Sequence, residues 1–127
     1  MTRDVKLDSI GQIHISVRDL PRTVEFYRNV LGMTLLFEVP EQSMAFFDCG
    51  GIRLYFGAPE NDDFRSNPLI YYNVPSLPEA YEALGARGVA FDSEPHVVHR
   101  TEEMELWMAD FRDPEGNHLL LMSEVRR

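Results

Sequence analysis

The stretch IHISVRDLPRTVEFYRNVLGM from Ile13 and the stretch IYYNVPSLPEAYEALGARGV from Ile70 follow one plan. Val17 falls on Val74, Leu20 on Leu77 and Pro21 on Pro78, with a one-residue gap near Gly32 and Gly88. Further on, FFDCGGIRLYF from Phe46 aligns without gaps with FRDPEGNHLLL from Phe111, placing Phe46 on Phe111, Asp48 on Asp113, Gly51 on Gly116 and Leu54 on Leu119. Two matches in the same order mark an internal duplication, and a repeat of this length means one supersecondary unit used twice.

Each copy reads as strand, helix and three strands. Ile13–Val17 alternates apolar and polar residues as a half-buried strand does. Asp19 caps a helix that Pro21 opens and Gly32 ends, with Val24, Tyr27, Val30 and Leu31 on one face. Strands are predicted at Leu35–Val39, Met44–Asp48 and Ile52–Phe56, the last two joined by a Gly-Gly hairpin turn. The second copy places strands at Leu69–Val74, Val89–Asp92, Leu106–Phe111 and His118–Ser123, with a helix near Leu77–Arg87. The Asn-, Asp- and Pro-rich stretch Ala58–Pro68 is the linker. The polar stretch His99–Glu105 reads as a mobile loop over a site. The fold class is therefore α+β, one domain over 1–127, with module one at about 10–58 and module two at about 69–125.

The 127 residues carry twelve Lys+Arg against twenty-one Asp+Glu, a formal charge of −9. That excess offers no basic footprint for nucleic acid. No apolar run approaches the roughly 18 residues of a membrane span, so no membrane partner is expected. The polar N-terminal stretch and the lone Cys49 suggest a reducing, cytoplasmic setting.

The FYRNVLGM and DPEGN signatures at this separation resemble the vicinal oxygen chelate superfamily, which includes glyoxalase I, bleomycin resistance proteins and extradiol dioxygenases. The resemblance spans Ile10–Glu124. It implies two βαβββ modules whose curved mixed sheets surround a cleft, with helices outside. Strand alternation then sorts the side chains. Ile13, Ile15, Val17, Ile52, Leu54 and Phe56 face the helices. His14, Ser16, Arg53, Tyr55, Tyr71, Asn73, His118, Leu120, Met122 and Glu124 face the concave side and form the expected pocket set.

In metal-dependent relatives, four inward His or Glu residues on the first and last strand of each module converge on a divalent ion. The resemblance puts those places at His14, Tyr55, Tyr71 and Leu120. Only His14 is an ordinary ligand; a tyrosine phenol titrates near ~10 and leucine has no donor. The expected function is small-molecule binding in the cleft without the usual metal site and without a cofactor. The alternative is a divalent-metal-dependent lyase, isomerase or dioxygenase using His14 with Glu124 or His118. Between them stands a cofactor-free lyase or epimerase with His14 or Glu124 as general base.

Other features carry less chemistry. His96 and His99, three apart on an extended chain, are expected on opposite faces. His14 and Ser16 lie two strand rises apart, roughly 7 Å between Cα atoms, so no direct Ser–His pair is expected. Cys49 sits in a turn without a base. Asp113, Pro114 and Gly116 read as turn residues. An inward Arg53 must pair, with Glu124 or with an anionic ligand oxygen. Proteins of the resembled superfamily commonly pair so that open sheet edges are covered, so the resemblance implies a homodimer.

Overall fold

The computed structural model describes residues 5–59, 61, 66 and 68–127. Module one runs β1 (Gln12–Ser16), α1 (Leu20–Glu25), β2 (Thr34–Val39), β3 (Met44–Cys49) and β4 (Ile52–Gly57). Module two repeats it with β5 (Ile70–Asn73), α2 (Leu77–Ala86), β6 (His96–Arg100), β7 (Met104–Arg112) and β8 (His118–Arg126). The strand orders are β1-β4-β3-β2 and β5-β8-β7-β6, with the first pair of each sheet parallel and the rest antiparallel. This is the α+β arrangement of two mixed sheets expected from the duplication. Within the linker, residues 60, 62–65 and 67 lie outside the described residues, as do residues 1–4 at the N-terminus.

Local chemistry sets the helices. The Asp19 carboxylate accepts the Arg22 N–H and Ser76 accepts the Glu79 N–H, with a proline in the first turn of each helix. α1 widens into a π-helical turn, Phe26–Val30, before Gly32 takes φ +75°. Leu20, Val24 and Tyr27 of this segment and Leu77 and Leu84 of α2 are buried in one core with Ile15, Phe47, Leu54, Phe56, Phe111, Leu119 and Leu121. Phe26 meets Phe111 with ring centroids 6.4 Å apart, so the core is continuous between modules.

Three expectations need correcting. The second-copy strand predicted at Val89–Asp92 is a single bridge, Phe91 to Phe111; β6 starts at His96. Val89 and Phe91 pack on the core and carry the apolar signal, but Pro95 interrupts the chain before the pairing segment. The predicted loop His99–Glu105 consequently divides between β6, a turn at 101–103 and β7. Finally, Phe47, not Phe46, is the counterpart of Phe111: Phe47 pairs with Leu54 as Phe111 pairs with Leu119. The second hairpin inserts a longer turn, and an ungapped alignment slips by one residue there.

Candidate functional site

Register pairing fixes which side chains share a face, because directly opposed residues point the same way. In module one His14 opposes Tyr55, Tyr55 opposes Phe46, and Phe46 opposes Phe37. Phe37 reaches this face through a bulge: the register shifts between Leu35 and Phe37, so Leu35 turns to the core and Phe37 away from it. The four rings form a row across the sheet. His14 and Tyr55 centroids are 4.5 Å apart, Tyr55 and Phe46 stack at 4.9 Å and 13°, and Phe46 and Phe37 stack at 4.5 Å and 23°. Gly57 leaves room for it, since a Cβ there would stand 2.7 Å from the Tyr55 ring. The Arg53 guanidinium lies 5.5 Å from the Phe46 centroid, a cation–π arrangement, and does not pair with Glu124.

His14 is fixed at the far side of the row. Ser16 Oγ accepts from the Ser66 N–H and hydroxyl, each at 3.1 Å, and Ser66 Oγ accepts the Ser16 N–H at 2.7 Å. With both lone pairs engaged, the Ser16 hydroxyl donates to His14 Nε2 at 3.2 Å. The Ser–His contact not expected from strand spacing therefore exists, because the His14 side chain leans along the strand. It leaves His14 Nδ1 buried and without a partner among the described residues.

Module two builds the same face differently. Tyr71 opposes Leu120 and Leu120 opposes Asp110; Asn73, Met122, Met108 and His96 form the next row. His118 Nε2 meets Asp110 Oδ2 at 2.5 Å, and the Ser93 hydroxyl donates to Asp110 Oδ1. The Ser93 hydrogen bond, above all, and then His118 hold the Asp110 carboxyl below its usual range despite partial desolvation. A second bulge, between Val97 and His99, turns both His96 and His99 to the face of Met108 and Leu106, against the expectation of opposite faces. Glu124 of β8 is exposed opposite Leu106 of β7 and has no ion pair among the described residues.

Among the described residues the margins of these faces are open, with Phe37 46% and Tyr71 44% exposed, while Phe46 in the middle of the row is buried between Phe37 and Tyr55. A cleft of about 680 Å³ lies to one side, between Ser16, Arg18, Ser66 and the turn Pro114–Asn117. The sequence reading missed Phe37, Phe46 and Asp110. The alternation of β3 and β7 could have found the last two, but the β2 bulge hides Phe37. It also missed what the DPEGN turn does. Asp113 accepts the Tyr27 hydroxyl at 2.7 Å together with the Glu115 and Asn117 N–H groups, and Glu115 accepts the Arg18 and Asp19 N–H groups. Burial first, then Asp113, raises the Tyr27 pKa, so the phenol stays a donor. The turn thus fastens module two to module one.

The four metal positions hold one imidazole, two phenols and an aliphatic side chain. His14 Nε2 is taken by Ser16 and its Nδ1 is buried; among the described residues His118 keeps Nδ1 free while Asp110 holds its Nε2, but it is not one of the four positions. Among the described residues no three His, Cys, Asp or Glu side chains gather as a metal would require. The donor set does not fit a four-ligand divalent ion.

Residues 9–121 match the family model of the Glyoxalase/Bleomycin resistance protein/Dioxygenase superfamily, and the chain belongs to that superfamily. It is 27% identical over 119 residues to the uncharacterized protein YraH of Bacillus subtilis (strain 168), covering 84% of this chain and 91% of that protein. Its fold matches a lactoylglutathione lyase from Agrobacterium tumefaciens at TM-score 0.73 and 20% identity, over 93% and 95% of the two chains. It also matches TnmS3, an antibiotic binding protein from Streptomyces sp. CB03234, at TM-score 0.75 and 20% identity, over 96% and 100%. Among the described residues no helix is long and apolar enough to cross a membrane.

Proposed function

We propose that this chain binds a small planar molecule on the aromatic row of module one without a metal or cofactor. The observation that carries this reading is the continuous row His14–Tyr55–Phe46–Phe37, one ring from each strand of the sheet. The exposed ring of Phe37 ends the row and gives a flat ligand a surface to stack on, with Phe46 and Tyr55 holding it in place behind, so little ordering is needed when a ligand arrives. Ser16 and Gly57 position the end and middle of the row, while Arg53 offers a cation at its edge to an electron-rich ring or a carboxylate. Tyr71, Asn73, His118, Leu120, Met122 and Glu124 line the opposite module's face. A fold shared with an antibiotic binding protein agrees with this use.

An open face gives a ligand one wall. A second copy of the chain supplies the other in this reading, making the protein a homodimer; light scattering should return twice the 14.7 kDa chain mass, and a monomer would remove the second wall.

Acridine, a flat fluorophore, tests the binding. Its emission should quench saturably with the wild type and only at protein concentrations higher by several-fold or more with Phe46→Ala, whereas equal affinity for both proteins would end the proposal. Metal content is the companion measurement on protein purified without an affinity tag. Bound zinc, manganese or iron should be well below one per chain and unaffected by His14→Ala; stoichiometric metal lost in that variant would favour the metal-dependent lyase, isomerase or dioxygenase.

A further inference from the structure

The binding reading gives no chemical role to one cluster of polar groups on the module-two face: Asp110, His118 and Ser93. The Asp110 carboxylate is held on both oxygens, by the Ser93 hydroxyl and by His118 Nε2, while the Asp110 N–H donates back to Ser93 Oγ at 3.2 Å. An ionised carboxylate only accepts, so His118 Nε2 must carry a hydrogen. A neutral imidazole then has its lone pair on Nδ1. Among the described residues Nδ1 has no hydrogen-bond partner, and the His118 side chain is 34% exposed. A base nitrogen is thus oriented by a fixed acid and left free to meet a ligand. The neighbouring floor is apolar, made by Leu120, Met122 and Met108 with the half-exposed Tyr71 beside Leu120.

We propose that His118, oriented by Asp110, takes the proton of an acidic hydroxyl on a small ligand, a phenol or an enol, and holds the ligand as its anion. The transfer breaks the ligand O–H bond and forms the Nδ1–H bond. The resulting imidazolium stands between the ligand oxygen and the Asp110 carboxylate, and no other reactant is needed. A phenol acidified by an electron-withdrawing group, or a stabilised enol, suits the site because proton exchange with imidazole works best between groups of similar pKa, and a flat ring suits the Leu and Met floor. The inference rests on the binding reading only in taking a small molecule as the ligand.

Among the described residues the charged groups near the pair have partners of their own or stand apart from it. Arg112, opposite His118 in register, is engaged by Asp92 at 3.4 Å and by the Gly116 carbonyl. His96 Nδ1 donates to the Glu94 carbonyl, and its charge when protonated reinforces the Asp110 anion. Glu124 stands further along β8, beyond Met122, and β5 contributes only the neutral Tyr71 and Asn73.

4-Nitrophenol tests the proposal, because its yellow phenolate reports its own ionisation. With wild-type protein in excess, the bound probe should ionise at least one pH unit below the free probe, which corresponds to roughly tenfold favouring of the anion. His118→Gln and Asp110→Asn should both weaken binding of the probe and, read at saturating protein, return the midpoint of the bound probe to the free value. Nitrogen-15 spectra of the wild type, which need no variant to fold, should show the Nε2–H tautomer of His118. No saturable binding, an unshifted midpoint, a shift that survives both substitutions, or the Nδ1–H tautomer would each overturn the proposal. Acridine has no acidic hydroxyl, so its weaker binding to Phe46→Ala reports on the aromatic row alone.

Discussion

The two modules place different chemistry at equivalent positions. His14 corresponds to Tyr71, Arg53 to His118, Tyr55 to Leu120, and Phe46 to Asp110, because each set holds the same register places in its sheet. Where module one sets a guanidinium over a phenyl ring, module two sets an imidazole on a carboxylate. Both arrangements satisfy a cationic or potentially cationic side chain on an open face, one through a ring quadrupole and the other through a charge-assisted hydrogen bond. Duplication kept the scaffold and let the outer faces diverge, since core residues such as Leu54 and Leu119 carry packing while their chain neighbours on the opposite face do not.

The largest test breaks the scaffold that both faces share. Asp113→Ala strands the Tyr27 hydroxyl in the core along with two backbone N–H groups of the turn. The cost should be about 3 kcal/mol, from several lost buried hydrogen bonds, or roughly 10 °C in Tm. Tyr27→Phe removes one bond and should cost about 1 kcal/mol. Thermal unfolding by circular dichroism reads both; equal stability of Asp113→Ala and wild type would mean that the modules do not depend on this turn.

Next in size is the row itself. Phe46→Ala interrupts the stack in its middle and should weaken acridine binding by about 1–3 kcal/mol, the usual worth of a stacking ring. Asp110→Ala, the equivalent change in module two, should leave acridine binding within twofold. Gly57→Ala sharpens the contrast without removing a ring, because its new methyl must displace Tyr55 from a distance of 2.7 Å. Acridine should then bind several-fold more weakly with little change in the unfolding midpoint.

Much of this contrast was legible in the sequence, and the reason is periodicity. Strand alternation placed His14, Tyr55, Leu120 and Asn73 opposite the core because β1, β4, β5 and β8 run without interruption. The same rule failed for His96 and His99 on β6, and it would misplace Phe37 on β2, because a bulge in each strand adds one residue and reverses the face of everything beyond it. Nothing in LLF or VVH announces a bulge, so Phe37 and the common face of His96 and His99 emerge only with the register. The displaced β6 has another cause: Val89 and Phe91 are apolar because they pack on the core, not because they pair. The ties from Asp113 and Glu115 to module one span more than eighty residues of chain, beyond any local pattern.

The smallest effect concerns acid stability and belongs to module two alone. Ser93 first, and His118 after it, hold the Asp110 carboxyl below its ordinary range. A carboxyl depressed in the folded state stabilises the fold at pH values above its unfolded pKa, about 3.9, and loses that contribution as pH falls through the lower folded value. Denaturant midpoints of the wild type should therefore drop faster below pH about 4 than those of Asp110→Asn, with the two curves parallel above it. Ser93→Ala removes the larger cause and should reduce the difference in slope. The effect is modest because both side chains of the His118–Asp110 pair remain partly exposed, and solvent screens them. Phe46 at the equivalent place carries no charge, so Phe46→Ala should leave the acid limb unchanged; an acid limb that moved with Phe46 and not with Asp110 would assign the proton to the wrong face.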